Sequence, residues 1–279
     1  MTGRSDARYR AGVGAAAAAA LLLGVATPAA AQQRAIRKAR DEAAAEFVAE
    51  AYPMTDERRA RAQAGRIMPY CNMRYPETAT PIGDDTVDVP PAEQRAIALA
   101  VDMQAVRQNL VAAGAEGWLA DAIAGGYRTT RESYDQKSEA QQEAMRQAGE
   151  DPRSALIKMA NLSGKLFGLP TFVDDESCGT YAFSVLRTPY RLLTEPPGAD
   201  VFVIPRFSFR VCEKRLSDPY ARGACAAWVK VPQGSATKVS GIYHYSVEWP
   251  DGAREREQTT FAFQGTQERD LLLASKPLP

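Results

Sequence analysis

The apolar positions change period once along the chain. From residue 34 to 167 they recur at spacings of three and four, the repeat of one face of a helix; from Gly179 onward they alternate at two, the repeat of one face of a strand. In the first region, Ile36, Ala43, Ala44, Phe47, Val48 and Ala51 predict a helix over 34–52 that Pro53 ends, with Thr55 or Asp56 capping a short second helix. A stretch over 67–91 carries Pro69, Pro76, Pro81, Pro90 and Pro91 and predicts a loop that contains Cys71.

Pro91 then opens a helix whose stripe is Ile97, Leu99, Val101, Met103, Val106 and Leu110, broken by Gly114 and Gly117. Trp118, Leu119 and Ile123 predict a short helix stopped by Gly125 and Gly126. Residues 131–148 are Glu, Gln, Arg and Ser-rich and predict an exposed helix or a mobile arm. Asp151 and Pro152 start a helix that is expected to bury Leu156, Met159, Leu166 and Phe167 and to close at Gly168 and Pro170.

In the second region Tyr181, Phe183 and Val185 predict one strand. A second is expected over 201–211, with Val201, Val203, Phe207, Phe209 and Val211 on one side and Arg206, Ser208 and Arg210 on the other. Pro205 would place it at an edge or a bulge. Ala226 to Val231 and Asp270 to Ala274 complete the set. The hairpin around Pro250, Asp251 and Gly252 allows its register to be argued. A two-residue Asp-Gly turn sets Glu248 opposite Glu255, two like charges; a three-residue loop with Gly252 in the left-handed region sets Glu248 opposite Arg254 and puts Phe261 and Phe263 on the face of Tyr243 and Tyr245. The three-residue loop is expected.

The fold class that follows is α+β: an N-terminal helical region over 32–170, then an antiparallel β region over 171–279, a sandwich or curved sheet stapled by disulfides. Residues 1–31 carry Arg4, Arg8 and Arg10, an Ala- and Leu-rich run from Ala11 to Val25, and an A-x-A end at Ala29 to Ala31. This is the pattern of a cleaved signal peptide, which predicts a periplasmic or secreted protein starting at Gln32, with no membrane span in the mature chain. The chain has 34 basic and 34 acidic residues. Removing the signal leaves 248 residues with a net charge near −2, which offers no basic field for nucleic acid.

Four cysteines in an exported chain predict disulfides, with Cys212–Cys225 and Cys71–Cys178 the favoured pairs among three pairings. Zinc is disfavoured because there is no C-x-x-C and His244 is the single histidine. His244 alternates with the aromatic residues of its strand and is expected on the solvated face beside Ser246 and Glu248. Ser235 to Lys238 spells S-x-x-K, but it follows Pro232 and Gly234 and leads into a strand, where the lysine would not reach the serine as it does one helical turn away. Asp84, Asp85 and Asp88, and Asp174, Asp175 and Glu176, form two acidic clusters without calcium-loop spacing. The sequon at Asn161 falls inside an apolar helical stretch. No cofactor loop or metal set is present in the sequence. The expected function is an exported, non-enzymatic envelope protein that binds a protein partner or ligand, with the polar helix 131–148 and the aromatic sheet as suspect surfaces. The alternative is an envelope hydrolase acting on a glycan or other polymer through Asp174, Asp175 or Glu176.

Overall fold

The computed structural model describes residues 28–67, 91–174, 188–223, 225, 227–231, 236–239, 241–261 and 269–274. The chain divides into two compact units, 1–38 and 39–279. The described part of the first is the opening of helix α1 (Pro28–Ala51); everything below concerns the second.

The rest of α1 places Ala39, Ala43, Ala44 and Val48 in a core with Ile97, Ala100, Val101 and Ala105 of α3 (Pro91–Ala112) and with Phe207 and Val211. Arg40 of α1 bonds Glu93 of α3 bidentately, at 3.0 and 2.7 Å from Nη2, and Asp41 of α1 pairs with Arg128 further along the chain. Helix α2 (Asp56–Gln63) starts where expected, with the Thr55 hydroxyl accepting from the Arg58 N–H. It leads through Gly65 to β1 (Arg66–Ile67). Gly65 is required here: its φ is +78°, and a Cβ would sit 1.6 Å from the Thr171 carbonyl oxygen.

Helices α3, α4 (Gly117–Asp135) and α6 (Pro152–Phe167) enclose a second core of Val106, Leu110, Leu119, Ile123, Tyr127, Leu156 and Ala160, closed below by Ile67 and Phe172. Gly125 and Gly126 do not stop a helix; they lie inside α4. A Cβ on Gly126 would come within 2.8 Å of the Met159 Sδ, the flexible end of a side chain that α6 packs against α4. Between them, α5 (Glu139–Gln147) is the exposed polar helix read from the sequence, separate from α4, with a Ser138–Gln141 capping box and no buried residue. Helix α6 is capped by Asp151, which accepts from the Arg153 and Ser154 N–H groups, and ends at Gly168 in the left-handed region. Asn161 is a tie in this unit: its amide donates to the Phe172 carbonyl at 2.8 Å and its oxygen accepts the Phe172 N–H at 2.6 Å. It anchors β2 (Val173–Asp174), which pairs parallel to β1.

The β region forms two sheets. One has the order β6-β3-β9, from β3 (Thr188–Glu195), β6 (Ala236–Val239) and β9 (Arg269–Ala274). The other has the order β5-β4-β7-β8, from β4 (Asp200–Pro205), β5 (Val229–Val231), β7 (Gly241–Glu248) and β8 (Arg254–Phe261). Leu192 and Leu273 of the first and Val201, Val203, Val231, Tyr243, Tyr245 and Val247 of the second share one core, with Trp249 closing its end. The strand pairing is not purely antiparallel, because β3 and β9 run parallel, Leu192 opposite Leu271. The hairpin has the expected register, Glu248 opposite Arg254 and Gly241 opposite Phe261, with Gly252 at φ +88°. Phe263 and the strand expected around Tyr181, Phe183 and Val185 lie outside the described residues.

The strand expected over 201–211 is half strand and half helix. Strand β4 stops at Pro205, and α7 (Arg206–Glu213) begins there. The alternating pattern has a different cause: α7 is buried on two sides, Phe207 and Val211 against α1 and α3, Phe209 and Cys212 against the loop that follows. Two helical stripes offset in this way imitate a period of two over six residues.

Candidate functional site

Three clusters hold the chemistry of the described residues. The first lies on the outer face of the four-stranded sheet. The disulfide Cys212–Cys225 joins the end of α7 to the segment before β5 and holds Phe209, Tyr220 and Trp228 over Ile204 and His244. His244 does share a face with Ser246 and Glu248, since it pairs with Ile204 and Ser246 with Phe202. It is not solvated as expected: Phe209 stacks on the imidazole at 3.6 Å and 10°, and Tyr220 meets its edge. Burial first, then the positive charges of Arg206 and Arg210, lower its pKa to about 4. The ring is therefore neutral near pH 7, and its buried Nδ1 has no hydrogen-bond partner among the described residues. A base so weak and so covered has little capacity to take a proton from a nucleophile. Around the rim, Glu248 pairs with Arg222 and Arg254, and Arg222 lies 3.7 Å over the Phe202 ring.

The second cluster is buried between α3 and α4. Asp102 is sequestered, and its Oδ1 has no hydrogen-bond partner among the described residues. Burial raises its carboxyl pKa to about 7, against the pull of Arg131 and of the Tyr127 hydroxyl, and Asp135 adds to the rise. Burial and Asp102 also raise the Tyr127 hydroxyl. Arg131, held by Asp135 at 2.9 Å, links the cluster to the surface.

The third is an apolar corner where the first turn of α4 meets the last turn of α6. Trp118 and Phe167 pair edge to face at 5.3 Å and 83°, yet they are 57% and 53% exposed. Leu162 and Leu166, one helical turn apart on α6, continue the patch at 65% and 73%. Of the residues expected in the core, Leu156 is buried while Leu166 and Phe167 are not; Ala160 and Gly164 complete the inward side. The Trp118 indole N–H donates to Glu116 at 2.6 Å, which holds the ring in place at the surface.

Of the residues singled out from the sequence, Cys212 and Cys225 are joined, and Asp174 ends β2 beside Ile67. The Asp174 side chain, together with Asp175, Glu176, Cys71, Cys178, Asp84, Asp85, Asp88 and Ser235, lies outside the described residues. Lys238 sits in β6 opposite Pro189, in a strand rather than a helix. The aromatic sheet face suspected as a surface is core: Tyr243, Tyr245 and Trp249 are buried. Neither Asp102 nor the corner was singled out from the sequence. A carboxylate three and four residues before Ala105 and Val106, in phase with the buried stripe, is the signal for Asp102. For the corner it is angular: Leu162 and Leu166 fall about 240° and 280° around the helix from Leu156, so they cannot share its face.

Among the described residues no group of His, Cys, Asp and Glu is placed to hold a metal ion, and no helix is long and apolar enough to cross a membrane. No family model, curated protein or solved structure matches the chain.

Proposed function

We propose that this chain is an exported, non-catalytic binding protein of the cell envelope, and that it docks through the corner formed by Trp118, Leu162, Leu166 and Phe167. One observation carries the reading: two large aromatic rings pair with each other in the open, continued by two leucines, where an isolated exposed apolar side chain would need no explanation. Export is supported by the basic, apolar and A-x-A zones of residues 1–31. A disulfide between Cys212 and Cys225 suits an oxidising compartment.

A photo-reactive residue placed at Leu166 in cells of the native host tests both parts, with the same residue at exposed Lys137 as control. The expected result is an adduct at 166 and none at 137, on a chain whose mass begins at Gln32. No adduct at 166, or equal labelling at both positions, overturns the docking face; a chain that retains residues 1–31 overturns export by cleavage.

A further inference from the structure

We propose that the occupant of this corner is an anionic membrane surface, so that the protein is a peripheral lipid-binding protein of the envelope. The proposal rests on the docking face proposed above and names what covers it. Helix α6 reads PRSALIKMANLSGKLF: it carries Arg153, Lys158 and Lys165 and no acidic residue. Lys158, Leu162, Lys165, Leu166 and Phe167 are exposed: the outward side of the helix mixes two ammonium groups with two leucines, and Phe167 adds its ring where the helix ends. Lys158 is steadied by donating to the Gly149 carbonyl at 2.7 Å. This is the composition of a helix that lies in a bilayer interface, where apolar side chains enter the acyl boundary and lysines meet lipid phosphates. Trp118 adds the side chain favoured at that depth, an apolar ring with a polar edge.

The charge pattern separates a lipid from a protein partner. A purely apolar patch would serve either, but a cationic rim on the helix that supplies the leucines is complementary to phosphate head groups. Glu116, which accepts the Trp118 indole N–H, keeps its negative charge at the corner against the two lysines, while Asp121 is paired with Arg107.

The test is partition of the full chain, as purified from its host, onto vesicles of phosphatidylglycerol with phosphatidylethanolamine, and onto phosphatidylcholine vesicles. Binding to the anionic vesicles is expected, with much weaker binding to the zwitterionic ones. It should fall with added salt and shield Trp118 from acrylamide. The Lys158→Glu/Lys165→Glu variant should lose about fivefold or more per lysine, given about 1 kcal/mol per basic residue at such a surface. Leu166→Glu/Phe167→Ser should lose binding to both kinds of vesicle. The Lys137→Glu control should bind as the wild type does. All of these positions are exposed, so unchanged thermal unfolding certifies the fold. Equal binding by wild type and the apolar variant overturns the proposal, as does equal binding to both vesicle types. If vesicles are not bound and the photo-adduct at 166 is a protein, the lipid inference fails and the docking face stands; if neither vesicle nor adduct is found, both fail.

Discussion

Replacing Asp102 by Asn should stabilise the protein at pH 8 and not at pH 4. The carboxyl is buried, one oxygen has no hydrogen-bond partner among the described residues, and its pKa rises from 3.8 to about 7 on folding. The folded state therefore holds its proton more tightly than the unfolded chain. The stability this contributes is full below pH 3.8, declines as pH rises, and is gone above about 7. A rise of this size corresponds to about 4 kcal/mol between the two plateaus. Asn cannot ionise, so it avoids that loss. It keeps a buried amide with incomplete hydrogen bonding, at about 1–3 kcal/mol, and gives up the attraction to Arg131. The net gain at pH 8 should be about 1–2 kcal/mol, or about 2–8 °C in Tm for a unit of this size. His244 works in the opposite direction: its pKa is lowered to about 4, so its contribution is present above pH 6.5 and is lost as pH falls through 4. The two slopes partly cancel in the wild type. The informative quantity is thus the Tm of the variant minus that of the wild type, followed from pH 4 to 8.5. It should climb through the range in which Asp102 ionises and then level off. A difference that is flat across the range, or a variant less stable than wild type at pH 8, would show that Arg131 holds Asp102 ionised and would refute the argument.

Gly65→Ala should cost more than 3 kcal/mol or prevent folding, because the new Cβ meets the Thr171 carbonyl at 1.6 Å and φ is +78°; chemical denaturation of the purified variant checks it. Cys212→Ala/Cys225→Ala opens a loop of 13 residues and should cost about 3 kcal/mol, with exposure of Trp228 reported by its fluorescence. Intact mass before and after reduction should show a gain of four hydrogens, two disulfides: β1 and β2 set residue 67 beside 174, and Cys71 and Cys178 each lie four residues further along the sequence. A gain of only two would leave Cys212–Cys225 as the single bridge.

What could be read from the sequence, and what could not, divides by how local the cause is. The β7–β8 hairpin was legible to the residue because its register depends on a turn of three residues and one like-charge clash. The caps at Thr55 and Asp151 were legible for the same reason. The parallel pairing of β3 with β9 was not, since nothing in either strand announces a partner some 80 residues away. Helix α7 misleads because its alternation imitates one face of a strand, while Phe207 and Val211 bury against one set of neighbours and Phe209 and Cys212 against another. Gly125 and Gly126 misled because a glycine that stops a helix and a glycine inside one look alike in the sequence; a Cβ on Gly126 meets the Met159 Sδ, and one on Gly125 meets nothing among the described residues. The corner is the most instructive case. Helix α6 carries more large apolar residues than one face can bury: once Leu156 and Ala160 define the inward side, Leu162 and Leu166 must point away from it. That surplus was visible as arithmetic in the sequence. Placing Leu166 and Phe167 in the core beside Leu156 hid it, and with it the surface on which the proposed function depends.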